Sequence, residues 1–81
     1  MELKDTVVLM NSPHYKDRFR SEYHQLKIRE EKLKAMVAKW DNGGIEFTPT
    51  CPREMYDEQL ASMKAYREVL EKRAVLEDVA L

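Results

Sequence analysis

Two charged residues of opposite sign interrupt two apolar stripes that have helical spacing. The first stripe is broken at Glu30 and the second at Arg67. A charge on an apolar helix face is tolerated only when it is paired or bound to a ligand, so we expect these two side chains to meet. The pair could serve only to fix helix register. Alternatively, Arg67 could face a cavity and bind an anionic ligand while Glu30 accepts from a base or holds the arginine.

A second candidate for ligand chemistry lies at residues 14–20, near the start of the first stripe. Free backbone N–H groups at a helix N-terminus bind phosphate, and an aromatic ring can stack on a base. Tyr15 is the candidate for stacking and Arg18 for phosphate, although the position of Tyr15 directly before the apolar stripe favours packing in the core. We recognise no catalytic triad, glycine-rich phosphate loop or metal-ligand spacing, so we predict a non-enzyme without cofactor or metal.

The apolar stripes identify the elements that must position these residues. Their steps alternate between three and four residues, which is typical of two helices packed side by side. The stripes consist of Phe19, Tyr23, Leu26, Leu33, Val37 and Trp40, and of Tyr56, Leu60, Met63, Leu70 and Ala74. An antiparallel register brings Glu30 opposite Arg67. The sequence therefore predicts an all-α fold, an antiparallel two-helix hairpin over residues 13–81.

The hairpin is preceded by a short leader, residues 1–12. Its β-branched and apolar centre could form an edge strand, a short helix, or an arm over a neighbouring protomer, and we favour an ordered arm. Ser12 as N-cap and Pro13 at the first helical position predict that helix one runs from about 13 to 40. The sequence of residues 41–44, Asp-Asn-Gly-Gly, ends it.

The connection between the helices is long and contains proline, so we expect residues 45–51 to run extended. Ile45 and Phe47 are predicted to cover the open end of the hairpin. Pro52 begins helix two, which should continue to Ala74 or Glu77. We expect the tail, residues 78–81, to fray.

Composition and charge narrow the class of protein. A chain of 81 residues buries little surface, so we expect a symmetric homo-oligomer, a dimer or higher. The net charge is −1, but residues 13–40 carry +4 and residues 41–81 carry −4. These charges could attract each other, or the basic helix could hold a small anion. Neither a membrane partner nor DNA is expected, because the chain has no long apolar run and no tight helix-turn-helix. We expect an intracellular protein.

Several short motifs resemble a group of small bacteriophage proteins that includes relatives from crAss-like phages. The resemblance spans residues 14–79. It is carried by Tyr-Lys-Asp-Arg-Phe at 15–19, Glu-Tyr-His-Gln-Leu-Lys at 22–27, Lys-Leu-Lys-Ala-Met-Val at 32–37, Phe-Thr-Pro-Thr-Cys-Pro at 47–52 and Gln-Leu-Ala-Ser-Met-Lys-Ala-Tyr at 59–66. The architecture is also similar to the helical-hairpin domain of phage anti-CBASS and Thoeris anti-defence proteins. Those proteins are oligomeric sponges for cyclic nucleotide immune signals.

The resemblance implies a protein that acts in the host cytoplasm and sequesters a cyclic dinucleotide, a cyclic trinucleotide or a cyclic ADP-ribose-type ligand without cleaving it. Matching the helix pattern of the sponges assigns Lys27 to a phosphate contact and Tyr15 to base stacking. Arg18 and Arg67 are further phosphate candidates, and the loop residues Thr48 and Thr50 are candidates for base edges. The alternative is a helical interaction module that inhibits or adapts a host or phage protein.

Overall fold

The computed structural model describes residues 1–81. A 3₁₀ turn at Leu3–Thr6 leads into the short helix α1, Val7–Met10, which precedes two long helices. These are α2, Tyr15–Asp41, and α3, Arg53–Leu76. There is no strand, so the prediction of an all-helical chain is confirmed. None of the helices is long and apolar enough to cross a membrane.

Contacts between α2 and α3 follow the length of both helices. At one end the rings of Trp40 and Tyr56 pack edge to face with centroids 5.6 Å apart. Near the middle Arg67 binds Glu30, and towards the other end Tyr23 binds Glu71. Because later residues of α3 meet earlier residues of α2, the two helices run antiparallel.

The core of the molecule lies at the end where the two chain termini meet. Its buried cluster consists of Phe19, Tyr23, Leu26, Leu70, Ala74 and Val79, with half-buried Met63 packed against it. Towards the connection only Val37 is buried. The molecule measures 43 × 24 × 17 Å, and its radius of gyration is 15.0 Å. A compact chain of this length would have a radius of about 12 Å, so the fold is elongated.

The N-terminal segment, residues 1–12, folds back onto α2 of its own chain. Of the secondary structures considered for this segment, the structure has the short helix rather than a strand. Thr6 is fully buried, and its carbonyl accepts a 2.9 Å hydrogen bond from Ser21 Oγ. Gln25 Nε2 donates to Thr6 Oγ1 over 3.1 Å. These polar contacts hold the N-terminal segment against α2. The sequence alone does not predict them, because a serine at position 21 is typical of an exposed helix face.

Helix α2 starts two residues later than predicted. Its N-cap is His14, whose side chain makes no capping hydrogen bond. The predicted cap, Ser12, instead accepts from the His14 backbone N–H and donates to Asp17 Oδ2 over 2.7 Å. The hydrogen bond from Ser12 lowers the pKa of Asp17. Ser12 therefore still organises the start of α2, but from outside the helix.

The C-terminal tail, residues 78–81, does not fray as predicted. Asp78 adopts a left-handed conformation, with φ of 55°, and the Val79 N–H bonds the Ala74 carbonyl over 2.8 Å. This turn swings Val79 over the core, where it is 6% exposed. Lys16 Nζ donates to the Asp78 carbonyl over 2.8 Å. Sequence reasoning missed the turn because aspartate rather than glycine occupies the left-handed position.

The connection, residues 42–52, begins with the glycine-based helix end that the sequence predicts. Gly43 has φ of 73°, and the Gly44 N–H bonds the Lys39 carbonyl over 2.7 Å. The remainder bends without forming a strand. Phe47 does not cover the end of the helix pair, since it is 56% exposed. Its ring lies instead beside an open cavity on α2.

Candidate functional site

The charged residues that interrupt the two stripes form an ion pair between α2 and α3. Arg67 Nε lies 2.6 Å from Glu30 Oε1, and Arg67 Nη2 lies 3.4 Å from Glu30 Oε2. Glu30 is only 2% exposed, and Lys34 Nζ approaches it to 3.9 Å. The hydrogen bond that Arg67 donates to Glu30 raises the pKa of Arg67. Arg67 is thus held by a carboxylate, as both of the alternatives that the sequence left open require.

A hydrogen-bond chain extends this pair towards the core. Arg67 Nη1 donates to Glu71 Oε1 over 3.4 Å, and the Tyr23 hydroxyl donates to Glu71 Oε2 over 2.8 Å. Burial raises the pKa of Tyr23, and the bond to Glu71 raises it further. Each contact crosses between the helices or lies one turn along α3. The chain therefore fixes the register of α3 on α2.

A cleft beside this network is the first candidate site. It has a volume of about 310 Å³ and is bounded by all three helices. That volume is at the lower end of the range for small-molecule sites. Its lining comprises Met10 of α1, Arg18, Ser21, Glu22, Gln25, Leu26 and Arg29 of α2, and Tyr66 of α3. We call it the central cleft.

The polar residues of the central cleft differ in how they are held. Arg18 Nη1 donates to the Ser12 carbonyl over 2.9 Å, which leaves its other donors free. Arg29 takes part in no ion pair or side-chain hydrogen bond of the structure. The Tyr66 hydroxyl donates to Glu22 while the residue remains 44% exposed. The cleft therefore combines two guanidinium groups with an accessible aromatic ring.

This combination suits a small anion that carries a ring. A guanidinium group presents a planar fork of donors that matches phosphate, and Tyr66 offers a face for stacking. The Glu22 carboxylate and Gln25 amide, both in the lining, can bond hydroxyl or amino groups. No nucleophile with an adjacent base is present among these side chains.

Of the residues predicted to bind ligand, only Arg18 lines the central cleft. Tyr15 is the first residue of α2 and is 46% exposed, so it is not part of the core. Partial desolvation raises the pKa of Tyr15, and the neighbouring Glu77 carboxylate adds to the shift. Thr48 and Thr50 are exposed in the connection, beyond the other end of α2. A helix of 27 residues is about 40 Å long, so one small ligand cannot touch both ends of one chain.

Lys27 is exposed and does not line the central cleft. Its charge nevertheless affects His24. Burial lowers the pKa of His24, and the positive charges of Lys27, the amino terminus and Arg20 lower it further. The His24 ring packs edge to face on Tyr23 with centroids 5.4 Å apart. Lys27 therefore contributes to the electrostatics of α2 from outside the central cleft.

Sequence reasoning missed Gln25, Arg29 and Tyr66 as lining residues. A signal for two of them exists in α2, where Arg18, Glu22, Gln25 and Arg29 follow one another at steps of four, three and four residues. Such steps place side chains on one helix face. That polar stripe runs beside the apolar one. Tyr66 carries no comparable signal, because its exposed flank position fits many roles.

Comparison with known proteins agrees with a binding role. The family model described as Sequestin matches residues 13–76, which include α2, the connection and α3. The chain belongs to the Sequestin family. The family name indicates sequestration of a signalling molecule, which fits a non-catalytic binding protein. Neither curated proteins nor solved structures gave a match. Within this Sequestin chain, residues 1–12 lie outside the matched range.

Proposed function

We propose that the protein is a bacteriophage anti-defence sponge that binds cyclic (oligo)nucleotide immune signals in the host cytoplasm without cleaving them. The observation that carries the proposal is the central cleft, with Arg18, Arg29 and Tyr66 around one cavity. Phosphate groups would lie against the two arginines and a base against the tyrosine ring. Membership of the Sequestin family supports retention of the ligand rather than its conversion.

The charge of α2 supports an anionic ligand. Residues 13–40 carry +4 although the whole chain carries −1. A locally positive surface concentrates anions and speeds their capture. Efficient sequestration needs a dissociation constant well below the signal concentration, and nanomolar binding corresponds to about −12 kcal/mol. Stacking plus charge-assisted phosphate contacts in an enclosed site can provide this free energy.

Tight binding needs an enclosed site, and association of several chains would enclose the ligand. We therefore include a symmetric homo-oligomer in the proposal. The isolated chain exposes 5805 Å² of surface. A typical monomer of 9.6 kDa exposes about 5,100 Å², so the chain has an excess close to what one partner buries in a standard interface. Sedimentation equilibrium tests this part of the proposal. A mass of two or more chains supports it, and a monomer at micromolar concentration contradicts it.

A thermal-shift panel tests the binding proposal itself. Cyclic dinucleotides, cyclic trinucleotides and cyclic ADP-ribose isomers are each added to the full chain. At least one should raise the melting temperature, because a ligand that binds only the folded state stabilises it. Arg29→Gln should weaken that ligand about tenfold through loss of a charge-assisted contact. The control Lys72→Gln removes one positive charge from an exposed position of α3 and should bind as the natural chain does.

The same panel separates the residues that the sequence nominates. Tyr15, Lys27, Arg67, Thr48 and Thr50 remain proposed ligand contacts. Substitution of each residue in turn shows which of them changes ligand affinity, measured at a temperature at which the free variant is folded. If no member of the panel shifts the melting temperature, the sponge proposal fails. The alternative of a protein-binding module would then be favoured by the strongly exposed apolar side chains Val8, Val75 and Leu76.

A further inference from the structure

A second cavity lies at the opposite end of α2 from the termini, between that helix and the connection. Its volume is about 430 Å³, which exceeds that of the central cleft. We call it the connector cavity. Its apolar lining residues are Ala35, Met36, Ile45 and Phe47, and its charged lining residues are Lys32, Lys39 and Glu46. Small-molecule sites are usually cavities lined by apolar and aromatic side chains together with a few charged or polar groups.

The two lysines of the connector cavity are free to bind an anion. No ion pair of the structure includes Lys32 or Lys39, whereas Lys34 on the same helix approaches Glu30. Lys32 and Lys39 are seven residues apart, so they lie on one helix face about 10 Å apart along the axis. Glu46 is the only carboxylate in the lining. The cavity therefore carries a net positive charge with two separated cationic groups.

Contacts next to the cavity tie the two ends of the connection together. Arg53 Nε and Nη2 each lie 3.0 Å from an Asp41 carboxylate oxygen, which ties the start of α3 to the end of α2. The hydrogen bond from Arg53 lowers the pKa of Asp41. The Arg53 guanidinium also stacks over the Trp40 ring at 5.9 Å. Between these anchors, the connection presents the Phe47 ring to solvent at 56% exposure.

We propose that the connector cavity is a second binding site, for a small ring-bearing polyanion of the nucleoside diphosphate class. The ring would stack on Phe47, and the phosphates would bond Lys32 and Lys39. Glu46, next to Phe47 in the chain, would accept from a ribose hydroxyl or an exocyclic amino group. This site shares no lining residue with the central cleft, so it is independent of the function proposed above.

Trp40 gives this site its own reporter, because it is the single tryptophan and directly follows Lys39. The full chain is titrated with adenosine 5′-diphosphate while tryptophan fluorescence is recorded, and separately with pyrophosphate and with adenosine. The diphosphate should change the fluorescence in a saturable manner, and each fragment should bind more weakly. The double variant Lys32→Gln/Lys39→Gln should weaken binding of the diphosphate at least tenfold. Phe47→Ser should weaken adenosine more than pyrophosphate.

Two controls make the outcome decisive. Lys64→Gln/Lys72→Gln removes the same charge from α3, away from both cavities, and should leave the diphosphate affinity unchanged. Arg29→Gln alters only the central cleft and should also leave it unchanged. The proposal is overturned if the diphosphate does not bind at millimolar concentration, or if the Lys32/Lys39 variant binds it as tightly as the natural chain. Neither result bears on the central cleft, which is tested by the effect of Arg29→Gln in the thermal-shift panel.

Discussion

The two ends of the helix pair are built differently. At the terminal end, six apolar residues, the N-terminal segment and the C-terminal tail bury one another. At the connector end, Val37 is the only buried residue, and the helices are joined by the Trp40 and Tyr56 rings and by the Arg53–Asp41 pair. Apolar burial stabilises the first end, whereas polar and aromatic contacts hold the second.

Because the two ends differ in burial, we expect them to differ in local stability and in how easily a ligand reaches their side chains. Elements with many buried contacts open only with global unfolding, whereas exposed elements open locally at lower cost. The central cleft lies over the terminal end, and two of its lining residues, Ser21 and Leu26, are buried. The connector cavity lies on the less buried end, where a ligand can still reach its lining. The Glu30–Arg67 pair marks the boundary between the two ends.

Leu70→Ala should have the largest effect on stability, because Leu70 is 1% exposed at the centre of the terminal core. Loss of its side chain leaves a cavity and should reduce the free energy of unfolding by about 3 kcal/mol. The adjacent residue provides the control, since Val69 is 52% exposed and Val69→Ala should cost under about 0.5 kcal/mol. Urea denaturation monitored by circular dichroism measures both. Equal losses would show that the terminal end is not the stable core.

Arg67→Met should reduce the free energy of unfolding by about 3 kcal/mol, because it leaves the Glu30 carboxylate buried without its main partner. The double variant Glu30→Leu/Arg67→Leu removes both charges and should recover most of that loss. The same denaturation experiment compares them. A double variant as unstable as the single one would mean that the pair contributes stability beyond mutual neutralisation.

Acidification from pH of about 7.5 to about 5.5 should weaken the terminal end through His24. Its pKa is lowered by burial, so the folded chain binds a proton less readily than the unfolded chain. This contribution to stability is complete above the unfolded pKa of about 6.5 and declines as the pH falls below it. The natural chain should lose stability over this range, and His24→Gln should lose less. Parallel pH profiles for the two proteins would contradict the assignment.

The smallest expected effects compare the two helix ends, which use the same backbone turn with different residues. Asp78 has φ of 55° and Gly43 has φ of 73°. Asp78→Gly relieves an unfavourable conformation and should stabilise by about 0.5 kcal/mol, whereas Gly43→Ala introduces one and should destabilise by about 1 kcal/mol. Differential scanning calorimetry resolves shifts of opposite sign. Shifts of the same sign would show that these turns are not governed by backbone conformation.

Periodic features of this protein were predictable from sequence, and local side-chain solutions were not. The apolar stripes predicted two long helices and the meeting of Glu30 with Arg67, because helical period and charge burial are general physical constraints. The docking of residues 1–12 depends on Ser21 and Gln25, and the folded tail depends on a left-handed Asp78. Both features require a backbone conformation or a hydrogen-bond partner that the residue type alone does not strongly favour.

The candidate site followed the same rule. Arg18 was predicted as an anion contact and lines the central cleft. Arg29 and Tyr66 were missed because they come from a flank of each helix, where polar and aromatic residues usually face solvent. The predicted ligand contacts included Tyr15 at the start of α2 and Thr48 and Thr50 beyond its end. They were grouped together because sequence spacing alone does not show how far apart two candidate residues lie in the fold.

The proposed sponge function requires that the protein binds a nucleotide signal and releases it unchanged. The most direct measurement is to incubate the chain with the signal identified by the thermal-shift panel, remove unbound ligand, denature the protein by heat and analyse the supernatant by liquid chromatography and mass spectrometry. We expect recovery of the intact signal in a fixed ratio to protein, with loss of recovery in Arg29→Gln. A supernatant without the signal, or one that contains its cleavage product, would contradict the claim.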